Sequence, residues 1–386
     1  MNVIVCSYGE IHLKGANRGF FVRQLLKNIQ QVLPAPAKVA IRDTRIMVTD
    51  YTDESLTIAR LKKVFGLISI RICQQVNYQS PDDIITYLKN VKLKGSFKVE
   101  VNRANKNFPL KSPQFAAMCG DVILHSNPDV KVDLHTPDTI IMIEIRTSGV
   151  AFISTDMEAG LGGLPVGTSG RAVCLISGGI DSPVAAFLAM KRGLAIDFVH
   201  FSTPPYTNDL ALEKVENLCK KVCEYGGDAN LFIVPFTKAG TEIQKHCHEQ
   251  YTITIMRRFM IAIAEKIGLA HNADCIITGE NLAQVASQTI QGIASNNFVA
   301  QKLPILRPLI CFDKEEIIHF AKKIGTFPIS ILPYQDCCTV FVPNHPVIKP
   351  NLEAVIKETN QLDFDSLVNI SYNDVLCKKL QNSYAE

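Results

Sequence analysis

Six consecutive residues, Ser177-Gly178-Gly179-Ile180-Asp181-Ser182, carry the groups that hold a phosphate. An apolar strand pattern, Ala172 to Ile176, runs into them and a helix pattern, Val184 to Met190, runs out. Two glycines let the backbone turn tightly and approach a ligand closely. The N–H groups of the turn and of the helix start then face an anion, with the hydroxyls of Ser177 and Ser182 as further donors. Pro183 at the helix start has a preset φ where its missing N–H costs nothing. No Gly-x-x-x-x-Gly-Lys-Ser/Thr run is present, so the loop brings no lysine of its own to a terminal phosphate and the chemistry has to be completed from elsewhere. A second reactive feature is Cys337-Cys338, the one adjacent cysteine pair of the sequence, placed after Pro333 and outside any periodic apolar run. Consecutive Cα atoms stand about 3.8 Å apart and ordinary disulfides want about 4.4 Å or more, so these thiols do not resolve one another.

The elements that must position these groups alternate. Strand patterns at Ala172 to Ile176, Ala195 to Phe201, Leu231 to Pro235 and Asp274 to Thr278 are interleaved with helix patterns at Pro183 to Lys191, Asn208 to Cys223, Tyr251 to Ile267 and Lys314 to Ile324. That is the signature of a doubly wound parallel sheet, whose ligands gather at the carboxyl ends of its strands. The expected ligand residues are therefore the turn after Ile176, His200-Phe201, and Thr278-Gly279-Glu280-Asn281. Upstream, the pattern is strand (Asn2 to Cys6), helix (about 17–32), a strand (about 39–48) and a helix (about 53–64), a small α+β unit. A second unit follows, with a strand at Ile68 to Cys73, a helix from Pro81, a strand at Phe97 to Asn102, a helix from Ser112 to His125 and two strands within 140–155. The Gly/Pro-rich stretch from Gly160 to Gly170 breaks all periodicity and is the clearest boundary. The tail after Pro346 shows no regular pattern.

With 386 residues the chain has room for two or three domains, and a net charge of +3 does not by itself announce a nucleic-acid partner. No window approaches 18 uncharged apolar residues and the N-terminus lacks a basic leader, so the expectation is a cytoplasmic protein with no membrane contact. The 12 cysteines are scattered without any Cys-x-x-Cys, which argues for core thiols and against a zinc or iron–sulfur site. Cys219, in a helical stripe with Leu212, Val215 and Val222, illustrates the packing role.

Several motifs together closely resemble the tRNA 4-thiouridine synthetases. They are Tyr8-Gly9-Glu10-Ile11-His12-Leu13-Lys14-Gly15-Ala16-Asn17-Arg18, the run from Gly162 to Arg171, the 177–182 loop, Gly279-Glu280-Asn281 with Gln284-Val285-Ala286-Ser287-Gln288, and Pro333-Tyr334-Gln335-Asp336-Cys337-Cys338. The loop itself is similar to the pyrophosphate loop (PP-loop) of ATP pyrophosphatases. The resemblance spans nearly the whole chain. It implies an α/β architecture: a ferredoxin-like domain (1–52), a THUMP RNA-binding domain (53–158), a linker (159–171) and a PP-loop ATP pyrophosphatase domain (172–386). The implied reaction is ATP-dependent sulfuration of uridine 8 of tRNA to 4-thiouridine, with ATP and Mg2+ as cofactors.

The same resemblance places nucleotide contacts at Leu175, Ile176, Ser177, Gly178, Gly179, Asp181, Ser182, His200, Phe201, Arg257, Gly279 and Gln288. Periodicity supports Arg257: Ile253, Met256, Met260, Ile263 and Ile267 make a buried stripe, Arg257 lies at its edge, and Arg258 points almost opposite, as a solvated or RNA-facing residue. Asp181, a lone carboxylate beside phosphates, suits Mg2+. Lys314 matches the family's lysine of adenylation. Cys338, or Cys337 if the alignment shifts by one, corresponds to the thiol that carries persulfide sulfur to C4 of the activated base.

RNA contact is expected from Lys14, Arg18, Arg103, Lys106 and Lys111, amid further basic residues at Arg23, Lys27, Arg42 and Arg45. Some relatives continue into a rhodanese-like domain with a second catalytic cysteine, whereas this sequence stops at Glu386. Sulfur is therefore expected from a cysteine desulfurase or a sulfur-carrier protein, and a role in thiamine thiazole synthesis is in doubt. A homodimer is compatible with holding one tRNA across two domains. The competing readings are another PP-loop adenylating enzyme, such as a different tRNA thiolase or an amidotransferase-type synthetase, and an RNA-binding module with an inactive nucleotide domain.

Overall fold

The computed structural model describes residues 2–285, 288–334, 341 and 346–382. Cys337 and Cys338 lie outside the described residues. The chain divides into two compact units, 1–163 and 164–386.

In the first unit, β1 (Asn2–Tyr8) leads through a 3-10 segment into α1 (Arg18–Val32), followed by β2 (Lys38–Arg42), β3 (Arg45–Thr49), α2 (Glu54–Leu61) and β4 (Leu67–Asn77). The stretch expected as one strand over 39–48 is a hairpin. Asp43 and Thr44 have φ of 47° and 65°, and two such residues make the tight turn whose twist suits antiparallel strands. Then come α3 (Pro81–Leu88), β5 (Ser96–Arg103), α4 (Ser112–Ser126), β6 (Lys131–Val132), β7 (Thr139–Ile145), β8 (Val150–Ser154) and β9 (Glu158–Ala159). One sheet of nine described strands runs through all of this, ordered β2-β3-β1-β4-β8-β7-β5-β6 with β9 on β4. Alternation along β1 puts Val3 and Val5 on one face and Ile4 and Cys6 on the other, and all four are buried. Beneath α3 and α4, Phe97, Phe115, Ile123, Ile141 and Ile143 form a second core. Glu144, 4% exposed, is held by Arg45 (2.8 Å) and Arg71 (2.9 Å), with Arg146 at 3.8 Å, a buried carboxylate compensated by three guanidiniums.

The second unit contains β10 (Arg171–Leu175), α5 (Asp181–Lys191), β11 (Ala195–Ser202), α6 (Asp209–Gly226), β12 (Ala229–Pro235), α7 (Thr237–His246), α8 (Thr252–Ala270), β13 (Cys275–Ile277), α9 (Ile290–Asn297), β14 (Ile305–Leu306), α10 (Lys314–Lys323) and α11 (Phe327–Ser330). Its sheet runs β14-β13-β10-β11-β12, all parallel. Helices α5, α6, α10 and α11 pack together, as α7, α8 and α9 do separately, the two layers of a doubly wound fold. The core joins Val173, Val199 and Phe232 of the sheet to Ile255, Phe259 and Ile263 of α8.

The region after Pro346, without a readable pattern, forms helices Leu352–Thr359 and Phe364–Asn373 and β15 (Leu376–Leu380), which pairs antiparallel with β12. Each helix is short and capped by a side chain, Asn351 or Asp363, and too few turns are present for periodicity to show. Helix α7 hides in the sequence for another reason: Gly240, a poor helix former, is required because a Cβ there would stand 2.8 Å from the Phe341 ring.

The stretch from Gly160 to Gly170 is tied down by backbone hydrogen bonds at several points. Gly160 and Gly162 donate to Ile68 and Leu67 of β4, while Gly167 and Ser169 donate to the carbonyl of Gly193 at the end of α5 (2.8 and 3.0 Å). Eight of the ten described cysteines are buried; Cys311 and Cys377 are exposed. Burial pushes the Cys223 thiol up to about 12 and that of Cys247 up to about 11, as expected for packing thiols rather than nucleophiles.

Candidate nucleotide site

The carboxyl ends of β10, β11 and β13 open into a pocket of about 300 Å³. Leu175, Ile176, Ser177, Asp181, Ser182, His200, Phe201, Arg257, Gly279 and Gln288 all line it, so the structure brings together ten of the twelve residues named as nucleotide contacts. The remaining two, Gly178 and Gly179, form the adjacent turn. Met260, Ile261 and Val285 complete the apolar wall.

The turn is braced from within. Ser182 Oγ accepts from the Ser177 N–H (3.0 Å) and lies 3.2 Å from Ser177 Oγ, while Ser177 Oγ accepts from the Gly179 N–H (3.3 Å). Helix α5 begins at Asp181, two residues earlier than its pattern suggests, so Pro183 falls inside the first turn, where backbone N–H groups have no intrahelical acceptor in any case. Gly279 permits the end of β13 to touch this helix start: a Cβ there would lie 2.8 Å from the Ser182 nitrogen. His200, 5% exposed, donates through Nδ1 to the Ile176 carbonyl (3.1 Å), which fixes the orientation of its ring.

Asp181 sits at the mouth. Its Oδ1 accepts from Lys314 Nζ (2.5 Å) and its Oδ2 from Gln284 Nε2 (2.9 Å). Lys314 is delivered by the start of α10, where Asp313 and Glu316 cap one another's backbone N–H groups, and Asn281 holds the preceding Phe312 carbonyl. Among the described residues no group of three or more His, Cys, Asp or Glu could hold a metal. A cation here would rest on the one carboxylate, which suits an ion that takes most of its ligands from phosphate and water.

The pocket floor is ionic. Glu280 accepts from Arg257 Nη1 (2.7 Å), Arg307 Nε (2.6 Å), Asn296 Nδ2 (3.2 Å) and Thr278 Oγ1 (3.1 Å). Burial pushes the Glu280 carboxyl up, but the guanidiniums of Arg257 and Arg307 and the hydrogen bonds outweigh it and hold it below the usual range. Arg307 had no signal in the sequence, since nothing in its spacing connects it to Glu280. Three buried amide oxygens at this pocket, Gln284 Oε1, Gln288 Oε1 and Asn296 Oδ1, have no hydrogen-bond partner among the described residues.

Arg258 corrects an expectation. It is neither solvated nor RNA-facing but 4% exposed, donating to the Ser295 carbonyl (2.9 Å). Helix α8 is sandwiched between the sheet and α9, so the side that Arg258 occupies is covered by protein.

In the first unit, Lys106 and Lys111 are exposed. Lys14 lies 4.9 Å over the Phe21 ring, and Arg18 donates to the Tyr8 hydroxyl (Nε, 3.1 Å). The guanidinium of Arg103 closes the 103–110 loop through the carbonyls of Phe108 (2.9 Å) and Leu110 (2.8 Å).

A glycine–serine turn at the carboxyl edge of a doubly wound sheet, opening on an apolar pocket with a carboxylate–lysine pair at its mouth, defines a nucleotide-binding domain of the PP-loop class. Comparison with known proteins narrows the class. Residues 167–364 match the family model described as thiamine biosynthesis protein (ThiI), 3–70 its ferredoxin-like domain, and 85–156 the THUMP domain. A probable tRNA sulfurtransferase of Thermoanaerobacter sp. (strain X514) is 43% identical, covering 97% of this chain and 99% of its own. One of Bacillus licheniformis is 44% identical over 95% and 92%. A crystal structure of a 4-thiouridine synthetase–RNA complex with bound ATP superposes with a TM-score of 0.90 at 35% identity, covering 99% of this chain and 100% of that one. The chain belongs to the tRNA sulfurtransferase family.

Proposed function

We propose that this enzyme uses ATP to adenylate uridine 8 of tRNA and then replaces the activated oxygen with persulfide sulfur, giving 4-thiouridine. The observation that carries the reading is the Asp181–Lys314 pair at the mouth of a pocket walled by the 177–182 turn. In adenylation the uridine O4 forms a bond to the α-phosphorus, the bond from that phosphorus to the bridging oxygen breaks, the electron pair leaves on pyrophosphate, and the uracil N3 proton is lost to solvent. The groups that must meet this charge are the turn's N–H groups, Ser177, Ser182 and Lys314.

Asp181 would hold Mg2+, which when bound neutralises phosphate charge. The apolar wall of Phe201, Met260 and Val285 accepts the adenine ring, and the amide oxygen of Gln288 takes a hydrogen bond from its exocyclic amine. Arg257, fixed by Glu280, presents positive charge to the nucleotide. Sulfur delivery falls to Cys338 with Cys337 as its neighbour: a cysteine desulfurase or carrier supplies the persulfide, its outer sulfur bonds to C4 as the C4–O bond breaks and AMP leaves, and a second thiol, from another cysteine, the donor protein or added reductant, cleaves the S–S bond to release 4-thiouridine. RNA is held by the first unit, through Lys14, Arg18, Lys106 and Lys111, with Arg103 shaping the loop between the last two. No described helix is long and apolar enough to cross a membrane, in keeping with a cytoplasmic enzyme acting on tRNA.

The test is pyrophosphate release by the purified enzyme with ATP and unmodified tRNA, followed by nucleoside analysis after adding a desulfurase and cysteine. Release that needs tRNA, and 4-thiouridine at position 8, are expected; release without either overturns the reading.

A further inference from the structure

Helix α9 brings an amide to the nucleotide pocket and holds it in one orientation. Asn296, on this helix, is 2% exposed and lines the pocket. Its Nδ2 donates to Glu280 Oε1 at 3.2 Å. A carboxylate accepts and does not donate, so this contact takes the amide nitrogen and leaves Oδ1 as the other end. The flanking residues pin the helix: the Ser295 carbonyl accepts from Arg258 Nη1 (2.9 Å) and Asn297 Oδ1 accepts from Arg307 Nη2 (2.9 Å). Glu280 accounts for the nitrogen of Asn296, but nothing among the described residues accounts for its oxygen. Asn296 Oδ1 is buried without a hydrogen-bond partner there, and so is Gln288 Oε1 in the same pocket. A ligand that fills this pocket displaces water from it, so the ligand must bring donors to both oxygens or leave them unsatisfied.

ATP has few donors to give. Its phosphates have none at neutral pH, and each ribose hydroxyl accepts as well as donates. The exocyclic amine of adenine differs, because its lone pair is delocalised into the ring and it presents two N–H groups that only donate. Buried in an apolar slot, such an amine wants two acceptors and no donor. We propose that Asn296 is a base-specificity residue of this site, its Oδ1 accepting one N–H of the adenine amine while Gln288 Oε1 accepts the other. The inference rests on the ATP-using reading given above and deepens it by naming the group that reads the base. Guanine carries a carbonyl oxygen where adenine carries the amine, which sets acceptor against acceptor and makes the same two oxygens refuse GTP.

The experiment measures binding of ATP, GTP, 2′-deoxy-ATP and purine riboside triphosphate, which has hydrogen in place of the amine, to the full-length enzyme and to Asn296→Leu, of similar shape and without the oxygen. Asn296→Ala stands in if the leucine variant does not fold. Wild type should bind ATP at least about tenfold more tightly than purine riboside triphosphate, and the variant should lose about tenfold in affinity for ATP and 2′-deoxy-ATP, the size of one hydrogen bond. Its affinity for purine riboside triphosphate should not change, and its gap between ATP and GTP should narrow. A purely structural role, through the lost contact to Glu280, would weaken every nucleotide alike. Equal losses for ATP and purine riboside triphosphate in a folded variant overturn the assignment, as does a wild type that binds the two equally. A loss that disappears with 2′-deoxy-ATP overturns it too, by giving the oxygen to the ribose. If the wild type binds ATP and releases no pyrophosphate with tRNA, the functional reading fails, while the nucleotide comparison still decides the role of Asn296.

Discussion

Lys314 and Asp181, 133 positions apart in the sequence, meet at 2.5 Å because each opens a helix and the two helices start at the same pocket mouth. A carboxylate is favoured at a helix start and a lysine is not, so Lys314 is placed against the preference of its own helix. Side-chain exposures of 42% for Lys314 and 21% for Asp181 leave the pair little weight in stability, so a role in the proposed reaction can be tested apart from folding.

Asp181→Ala is accordingly expected to unfold within about 1 kcal/mol of wild type and to lose about 10²- to 10³-fold in tRNA-dependent pyrophosphate release. Lys314→Ala should lose a comparable factor, and the double variant less than the product of the two, because the residues act as a unit. Pyrophosphate release, with thermal unfolding alongside, decides; wild-type rates for Asp181→Ala would remove it from the mechanism.

Glu280 has the opposite balance. Replacing it with glutamine leaves Arg257 and Arg307 without their buried carboxylate, and a loss of about 3–5 kcal/mol in stability is expected, with a raised KM for ATP. Its carboxyl is held below the usual range in the folded state. Its contribution is therefore complete above the unfolded value of about 4.3 and is lost as pH falls through the lowered folded value. Urea unfolding from pH 7 down to pH 3 should show wild type losing stability in the acid window more steeply than Glu280→Gln; parallel curves would refute the claim.

Residues 164–386 carry their own sheet, core and pocket. That fragment should bind ATP with near-wild-type affinity and bind tRNA weakly. The intact enzyme should hold tRNA with an affinity that falls steeply as salt rises, since phosphate contacts release counterions. Tight, salt-sensitive tRNA binding by the fragment would move the RNA site out of the first unit.

The cysteine pair separates the two half-reactions. Cys338→Ser should still form adenylated tRNA yet make no 4-thiouridine with a desulfurase as donor, and Cys337→Ser should be milder. High sulfide should restore product in Cys338→Ser by attacking the activated base directly. Failure of Cys337→Ser alone would shift the carrier role by one residue.

What was legible in the sequence follows physical range. The turn at Ser177 to Ser182, the parallel strands feeding it and the strand-end positions His200 and Glu280 are local patterns, and the pocket assembles them. Arg257 was placed inward by its angle to the stripe of α8. The same reasoning failed for Arg258 because it assumes one wet face, and α9 covers that face. Arg307 could not be read because its partner, Glu280, is distant in sequence and is joined to it only by tertiary packing. The hairpin at Asp43-Thr44 was missed because Thr is an uncommon residue at positive φ.

The antiparallel strand β15, at the C-terminal edge of the nucleotide sheet, has a consequence for how the protein is made. Leu362, Leu367 and Val368, just before it, belong to the core built on α8. The 177–182 turn emerges from the ribosome at mid-chain, whereas the surfaces that bury α8 and cover β12 are translated last. Nascent chains therefore carry an exposed strand edge and an incomplete core from the completion of β12 at Pro235 until β15 is made at Leu376–Leu380, a window in which chaperones have something to hold and premature termination leaves a sticky product.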